Sequence, residues 1–225
     1  MRRISIKLFL AFACVFVFLA GARLRAQEIF FKNGDAWPVV PMSPDRSDDA
    51  YVIYSLLTPG EFPKTLLQHQ PLWLIADMTL VVSPEMDDPR KALAAPAAEQ
   101  TAFAAILADY DKTKYEHVRL EKSFNFSVPY LLLSATQRAE FQKAVEASQA
   151  QHTNVIPAAY HDALGIVYFS DVYFNFDHTL AMVAVARWCG ANCSQLHWVA
   201  LEKTNGAWKV LDWSTAQKGI GALYK

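Results

Sequence analysis

The sequence predicts an α+β fold, an antiparallel β-sheet packed with two main helices. Three observations predict it. Residues 165–213 read as four strands, GIVYFSDVYFNF, LAMVAVARW, SQLHWVALEK and AWKVLDW, separated by DHT, CGANC and TNG. The strand pieces are rich in β-branched and aromatic residues, and the separators are turn chemistry, so they form a four-stranded antiparallel meander. Upstream, AAEQTAFAAILADY (97–110) repeats Phe103, Ile106, Leu107 and Tyr110 at three- and four-residue spacing, one apolar helical face. Ser134-Ala135-Thr136-Gln137 is an S-x-x-Q capping pattern at the head of a second helix that runs to about Ser148.

In chain order, MRRISIK precedes the apolar run LFLAFACVFVFLAGA. Charged, apolar and small-residue regions in that sequence read as a secretory leader over 1–26, cleaved after Ala22 or Ala26. The apolar run is about 15 residues, short of the ~20 that a spanning helix needs. Cys14 has no lipobox around it and is not read as a lipidation site.

The full chain carries 21 Lys+Arg and 22 Asp+Glu. Cleavage after Ala22 removes Arg2, Arg3 and Lys7, leaving 18 against 22, or −4. A mildly acidic domain without a basic run lacks the electrostatic footprint of nucleic-acid or anionic-lipid binding. The mature chain of about 200 residues is long enough for one ample core, and 27–225 is read as a single domain.

Residues 27–49 form a lead-in, kept in turns and extended pieces by Asn33-Gly34 and Pro38, Pro41 and Pro44, with 45–49 a polar break that caps the next segment. That segment, AYVIYSLLT (50–58), is apolar nearly all round; helix and strand both fit, and Asp48 and Asp49 at its start favour a helix. LWLIADMTLVVS (72–83) is a central strand interrupted by Asp77, and a loop with Glu85, Asp87 and Asp88 comes after it. Residues 118–126 alternate loosely as a strand, and VPYLLLS (128–134) is an edge strand because of Pro129. Residues 149–162 link the second helix to the meander. Both parities of the meander strands are apolar, so its sheet is covered on two sides. The two helices cover one face; the N-terminal segment covers the other, or that face curls around a pocket.

At these residues the chain resembles a widespread group of exported bacterial proteins with no assigned activity. The pattern is Ser170, then Phe174-Asn175-x-Asp177-x-Thr179-x-Ala181-x-Val183-x-Val185, then Cys189-Gly190 and Cys193. It closes with Leu201-x-Lys203-x-Asn205-Gly206-x-Trp208-x-Val210. Tyr51-Val52-Ile53-Tyr54-Ser55, the Asp77-x-Thr79 strand and the 126–134 segment are also similar to that group. Relatives carry glycines after the second cysteine, where this chain has Ser194-Gln195. The resemblance implies compartment and fold, and no reaction.

Chemistry-bearing candidates are few. The chain has no G-x-S-x-G, H-E-x-x-H or C-x-x-C, and Gly219-Ile220-Gly221 lacks the setting of a dinucleotide loop, so no cofactor is expected. Asp177-His178-Thr179 is a turn before it is an acid–base pair, and His161-Asp162 is a linker pair. Asp77, inside an apolar strand, must be paired, hydrogen-bonded or at the strand's end. Glu85, Asp87 and Asp88 match no Ca²⁺-loop spacing and read as a solvated acidic turn. Trp188, Trp198, Trp208 and Trp213 serve as core residues or as a ligand platform.

After leader removal Cys189 and Cys193 are an even pair in an oxidising compartment, which predicts a disulfide across the mouth of a hairpin. The expectation is a periplasmic or extracellular binding or interaction module, non-catalytic, with Asp77, Trp198 and Trp208 as its candidate ligand surface. Its partner is a protein or a small molecule, with no nucleic acid, no metal, and no membrane once the leader is gone. Two rivals stand beside it: thiol or metal chemistry at Cys189 and Cys193 with His197 or His178, and a hydrolase using Asp77 with a distant histidine.

Overall fold

The computed structural model describes residues 37–57, 72–152, 155–190 and 194–215. From Pro38 on, the described residues belong to one compact unit. The leader, with cleavage after Ala22 or Ala26, lies outside the described residues. So does Cys193.

The chain enters through β1 (Val39–Val40) and α1 (Pro44–Leu56). Pro44 sits at the first helical position, where its missing N–H and fixed φ suit the start of a helix. The helix expected over 50–58 therefore begins six residues earlier than 50, and the polar stretch 45–49 is its opening turns rather than a break before it. These polar side chains are tolerated there because Arg46 and Asp49 each find distant partners.

β2 (Leu72–Ala76) ends directly before Asp77, so the strand expected over 72–83 is shorter than its apolar run. Leu80, Val81 and Val82 are buried as extended chain outside the sheet. After the acidic loop come α2 (Pro89–Ala92), capped by Asp88, and α3 (Gln100–Thr113), preceded by a 3-10 turn. Of the strand expected over 118–126, only β3 (His117–Val118) forms, paired in parallel with β1. β4 (Tyr130–Leu133) is an edge strand, as Pro129 indicated. α4 (Ala135–Gln151) starts with both arms of the Ser134–Gln137 capping box.

The meander comes next as β5 (Ala163–Phe169), β6 (Tyr173–Phe174), β7 (Leu180–Trp188), β8 (Gln195–Thr204) and β9 (Ala207–Leu211). Its pairings are antiparallel throughout. Asn205 and Gly206 take φ of 53° and 78°, the left-handed pair that a two-residue hairpin turn requires. Gly165 is needed at the entry: at φ +126° a Cβ would lie 2.2 Å from the Trp188 carbonyl oxygen.

The fold is α+β, with a mixed sheet in place of a purely antiparallel one. Its order is β4-β2-β5-β7-β8-β9, with β6 also on β7. β2 pairs in parallel with both β4 and β5, because α3 lies between β2 and β4 and α4 between β4 and β5, each returning the chain to the same end. The strand expected over 165–176 is split. From Phe169 to Tyr173 it advances four residues while β7 advances three, from Val185 to Met182. That extra residue is a bulge, and Ser170 holds it: its Oγ accepts the Ala184 N–H at 2.8 Å and donates to the Asp171 carbonyl at 2.7 Å.

Helices cover both faces. α1 lays Tyr51, Ile53 and Tyr54 over Val167, Phe169, Val183 and Leu201. On the opposite face, Tyr110 of α3 meets the rings of Tyr173 and Trp198 at 5.1 and 5.6 Å, and Phe141 of α4 meets Trp188 at 6.2 Å. Each fully buried side chain of this size contributes roughly 1.5–3 kcal/mol. Among the described residues no helix is long and apolar enough to cross a membrane.

Candidate functional site

Asp77 is placed by the end of β2, where its N–H still donates to the Leu133 carbonyl at 3.0 Å. Its carboxylate turns out of the sheet toward two guanidinium groups. Arg138, in the first turn of α4, sits 2.6 Å from Oδ1 and is 15% exposed; Arg119 sits 3.6 Å from Oδ2 and is 61% exposed. Arg138 also donates to the Leu133 carbonyl at 2.9 Å, so it is the fixed partner. One carboxylate against two guanidiniums leaves a cationic surplus, carried on the exposed Arg119.

Arg119 borders a groove of about 300 Å³. It is lined by Val39 to Met42, by Ser47 and Tyr51 of α1, and by a wall of Arg119 and Glu121, with the Arg119 N–H donating to the Val40 carbonyl at 3.3 Å. Residues 119 and 121 share a side because Leu120 between them is buried. Tyr51 fixes this wall: its hydroxyl oxygen accepts the Glu121 N–H at 2.6 Å. Burial pushes the Tyr51 phenol up, against the Glu121 backbone bond, so it stays protonated at neutral pH. Asp77 does not line the groove and is linked to it only through Arg119.

The other two expected surface residues are elsewhere. Trp198 and Trp208 are both buried, on opposite faces of the sheet. Trp198 packs under α3 and donates its indole N–H to the Asp87 carbonyl at 3.2 Å. Trp208 packs on the α1 side and donates to Asp49 at 2.8 Å. The expected surface of Asp77, Trp198 and Trp208 does not assemble, because strand alternation sends the two indoles opposite ways.

A second polar cluster joins three elements. Arg46 of α1 lies 2.9 Å from Asp109 of α3 and 3.5 Å from Asp171 in the β5–β6 bulge, and also donates to the Val172 carbonyl. Asp109 accepts the Phe174 N–H at 3.0 Å. Burial pushes the Asp171 carboxyl up to about 6, and the Arg46 charge opposes this without cancelling it. This cluster bonds the fold's layers to the bulge. Asp171 carries the same signal as Asp77, a carboxylate inside an apolar run. Arg46, Arg119 and Arg138 carry none, since each meets its carboxylate from 42 or more positions away.

The remaining candidates are structural where the chain is described. Asn175 Oδ1 accepts the N–H groups of Thr179 and Leu180 at 2.9 and 2.8 Å, and His178, at φ 51°, stacks on Phe174 with centroids 4.5 Å apart. His161 Nε2 bonds the Ile156 carbonyl at 2.7 Å. In the acidic loop Asp88 caps α2 by accepting the Arg90 N–H at 3.0 Å, and burial, helped by the Asp88 charge, pushes the Asp87 carboxyl up. Among the described residues no group of three or more His, Cys, Asp or Glu side chains could hold a metal.

Cys189 comes directly after β7, and Cys193 lies outside the described residues. His197 stands opposite Val185, four positions before Cys189. At about 3.3 Å per residue that is on the order of 13 Å, beyond a shared ligand sphere. His178 precedes β7 at its far end. Burial pushes the His197 imidazole down to about 4. No histidine meets the Asp77 carboxylate in the ion pairs of the described residues; His117, buried nearby, places Nδ1 2.5 Å from the Thr79 carbonyl oxygen.

No protein-family model matches the chain, and no curated protein matches it.

Proposed function

We propose that this chain is an exported globular protein, a non-catalytic binding module of the periplasm or cell exterior, with the Val39–Met42 groove as its ligand surface. The observation that carries the reading is the groove's lining: a guanidinium, a carboxylate, a phenol, a hydroxyl and apolar side chains, drawn from β1, α1 and the segment after β3. These are recognition groups. The carboxylates and indoles of the core are, by contrast, spent on holding layers together. Export is supported by the leader pattern and by the resemblance to exported bacterial proteins. An exported compartment also suits the even pair that leader removal leaves, Cys189 and Cys193, as a disulfide. The acidic mature chain favours a protein or small-molecule partner over nucleic acid.

The test is a thermal-shift screen of protein recovered from the exported fraction, with the ligand pool followed by mass spectrometry. A saturable rise in Tm with every ligand recovered intact is the expected result. A hit consumed in proportion to protein, or protein found only in the cytosol with Met1 intact, contradicts it.

A further inference from the structure

We propose that the groove recognises a small zwitterion with an apolar side chain, a free amino acid or a short peptide. This rests on the binding reading above and names its ligand class. One wall carries two opposite charges two residues apart, Arg119 and Glu121. Arg119 is 61% exposed, and the carboxylate it faces, Asp77, is already neutralised by Arg138 at 2.6 Å. Its charge is available to an incoming carboxylate, which a guanidinium binds through two parallel N–H groups.

Glu121 makes no ion pair among the described residues and supplies the counter-charge for an ammonium. Alternate residues on one side of an extended chain stand about 7 Å apart, a span that two flexible side chains close onto one small molecule. In the same groove Val40, Pro41, Met42 and Tyr51 offer the apolar surface for a side chain. At about 300 Å³ the groove is at the small end of ligand sites, which run from ~300 to 1,000 Å³. A ligand with one charge only would pair with one of the two side chains and forgo the charge-assisted bonds of the other, and that difference is the source of selectivity.

The experiment is calorimetric titration of the exported protein with leucine, leucyl-leucine, N-acetyl-leucine and leucinamide. Binding of leucine or of leucyl-leucine, with both singly charged analogues at least tenfold weaker, is the expected result; which of the two binds tighter separates amino acid from peptide. Arg119→Gln should erase the preference for leucine over leucinamide, and Glu121→Gln the preference over N-acetyl-leucine. Both side chains are exposed, so an unchanged Tm verifies that the variants fold. Equal binding of the analogues overturns the zwitterion assignment and leaves the binding module standing, as does a groove-bound hit of another chemistry with neither zwitterion bound. Hydrolysis of leucyl-leucine overturns both.

Discussion

Asp49 on the first helix accepts the indole N–H of Trp208 in the last strand at 2.8 Å, across 159 positions of sequence. Lys203, beside Trp208 in the neighbouring strand, completes the contact at 2.7 and 2.9 Å. One carboxylate thus fastens α1 onto the C-terminal hairpin. Asp49→Ala leaves a cation and an indole unpaired and is expected to cost on the order of 1–3 kcal/mol, read as a lower denaturation midpoint. Burial works to raise the Asp49 carboxyl, but the bonds from Lys203 and Trp208 hold it below its ordinary value. Its contribution is therefore full above the unfolded value near 4 and lost as pH falls through the lowered folded value, so the deficit of the variant shrinks in acid.

Asp171 has the opposite sign. Burial raises its carboxyl to about 6, so the folded chain holds that proton more tightly than the unfolded chain does. Stability contributed here grows as pH falls from about 6 toward the ordinary carboxylate value near 4. Asp171→Asn removes the titration while Arg46, Asp109 and Glu116, the charges that act on it, remain. Urea denaturation at pH 7 and pH 4.5 should show wild type gaining on the variant at the lower pH by on the order of 1–3 kcal/mol. Wild type losing stability relative to the variant in acid would show that Arg46 dominates instead.

Trp198 and Trp208 should behave as independent core residues. Either substitution to Ala is expected to cost ~3–5 kcal/mol. Because the side chains lie on opposite faces, a double-mutant cycle with the milder Phe variants should give a coupling within about 0.5 kcal/mol. A larger coupling would place the indoles in contact.

The meander, the capping box at Ser134 and the Asn205-Gly206 turn were legible because each is decided within a few residues, by β-propensity, side-chain capping or positive φ. The parallel pairing of β2 with β4 and β5 was within reach of the same reading: a strand, a 14-residue helix, a strand, a 17-residue helix and a strand succeed one another. The strand over 72–83 was overdrawn because buried extended chain and sheet share one composition, and Leu80 to Val82 are the former. Asp77 was identifiable as a paired charge, but its arginines were not, since Arg138 lies 61 positions away. The groove was illegible for the same reason. Its walls come from three separate segments, and nothing in Val39-Val40-Pro41-Met42 announces that Arg119 and Glu121 will face it.

The cysteines are expected to form one bond in the exported protein. Intact mass should fall by about two mass units against the reduced chain, as one S–S bond replaces two thiols. Closing a loop of about five residues stabilises by only ~2 kcal/mol, so reduction should lower the denaturation midpoint without unfolding the domain. Two free thiols in protein taken from the exported fraction, or zinc lost only when both cysteines become serine, would reinstate the thiol and metal reading.

Whether this protein works by binding at the groove is tested most directly by amide-resolved NMR of the mature chain titrated with a library of small polar and apolar fragments. The expected result is that shifts converge on Val39, Val40, Ser47, Tyr51, Arg119 and Glu121, saturate, and leave each fragment chemically unchanged. Shifts that converge around Asp171 or the Cys189 turn with the groove amides unmoved, or fragments altered on incubation, would contradict the account.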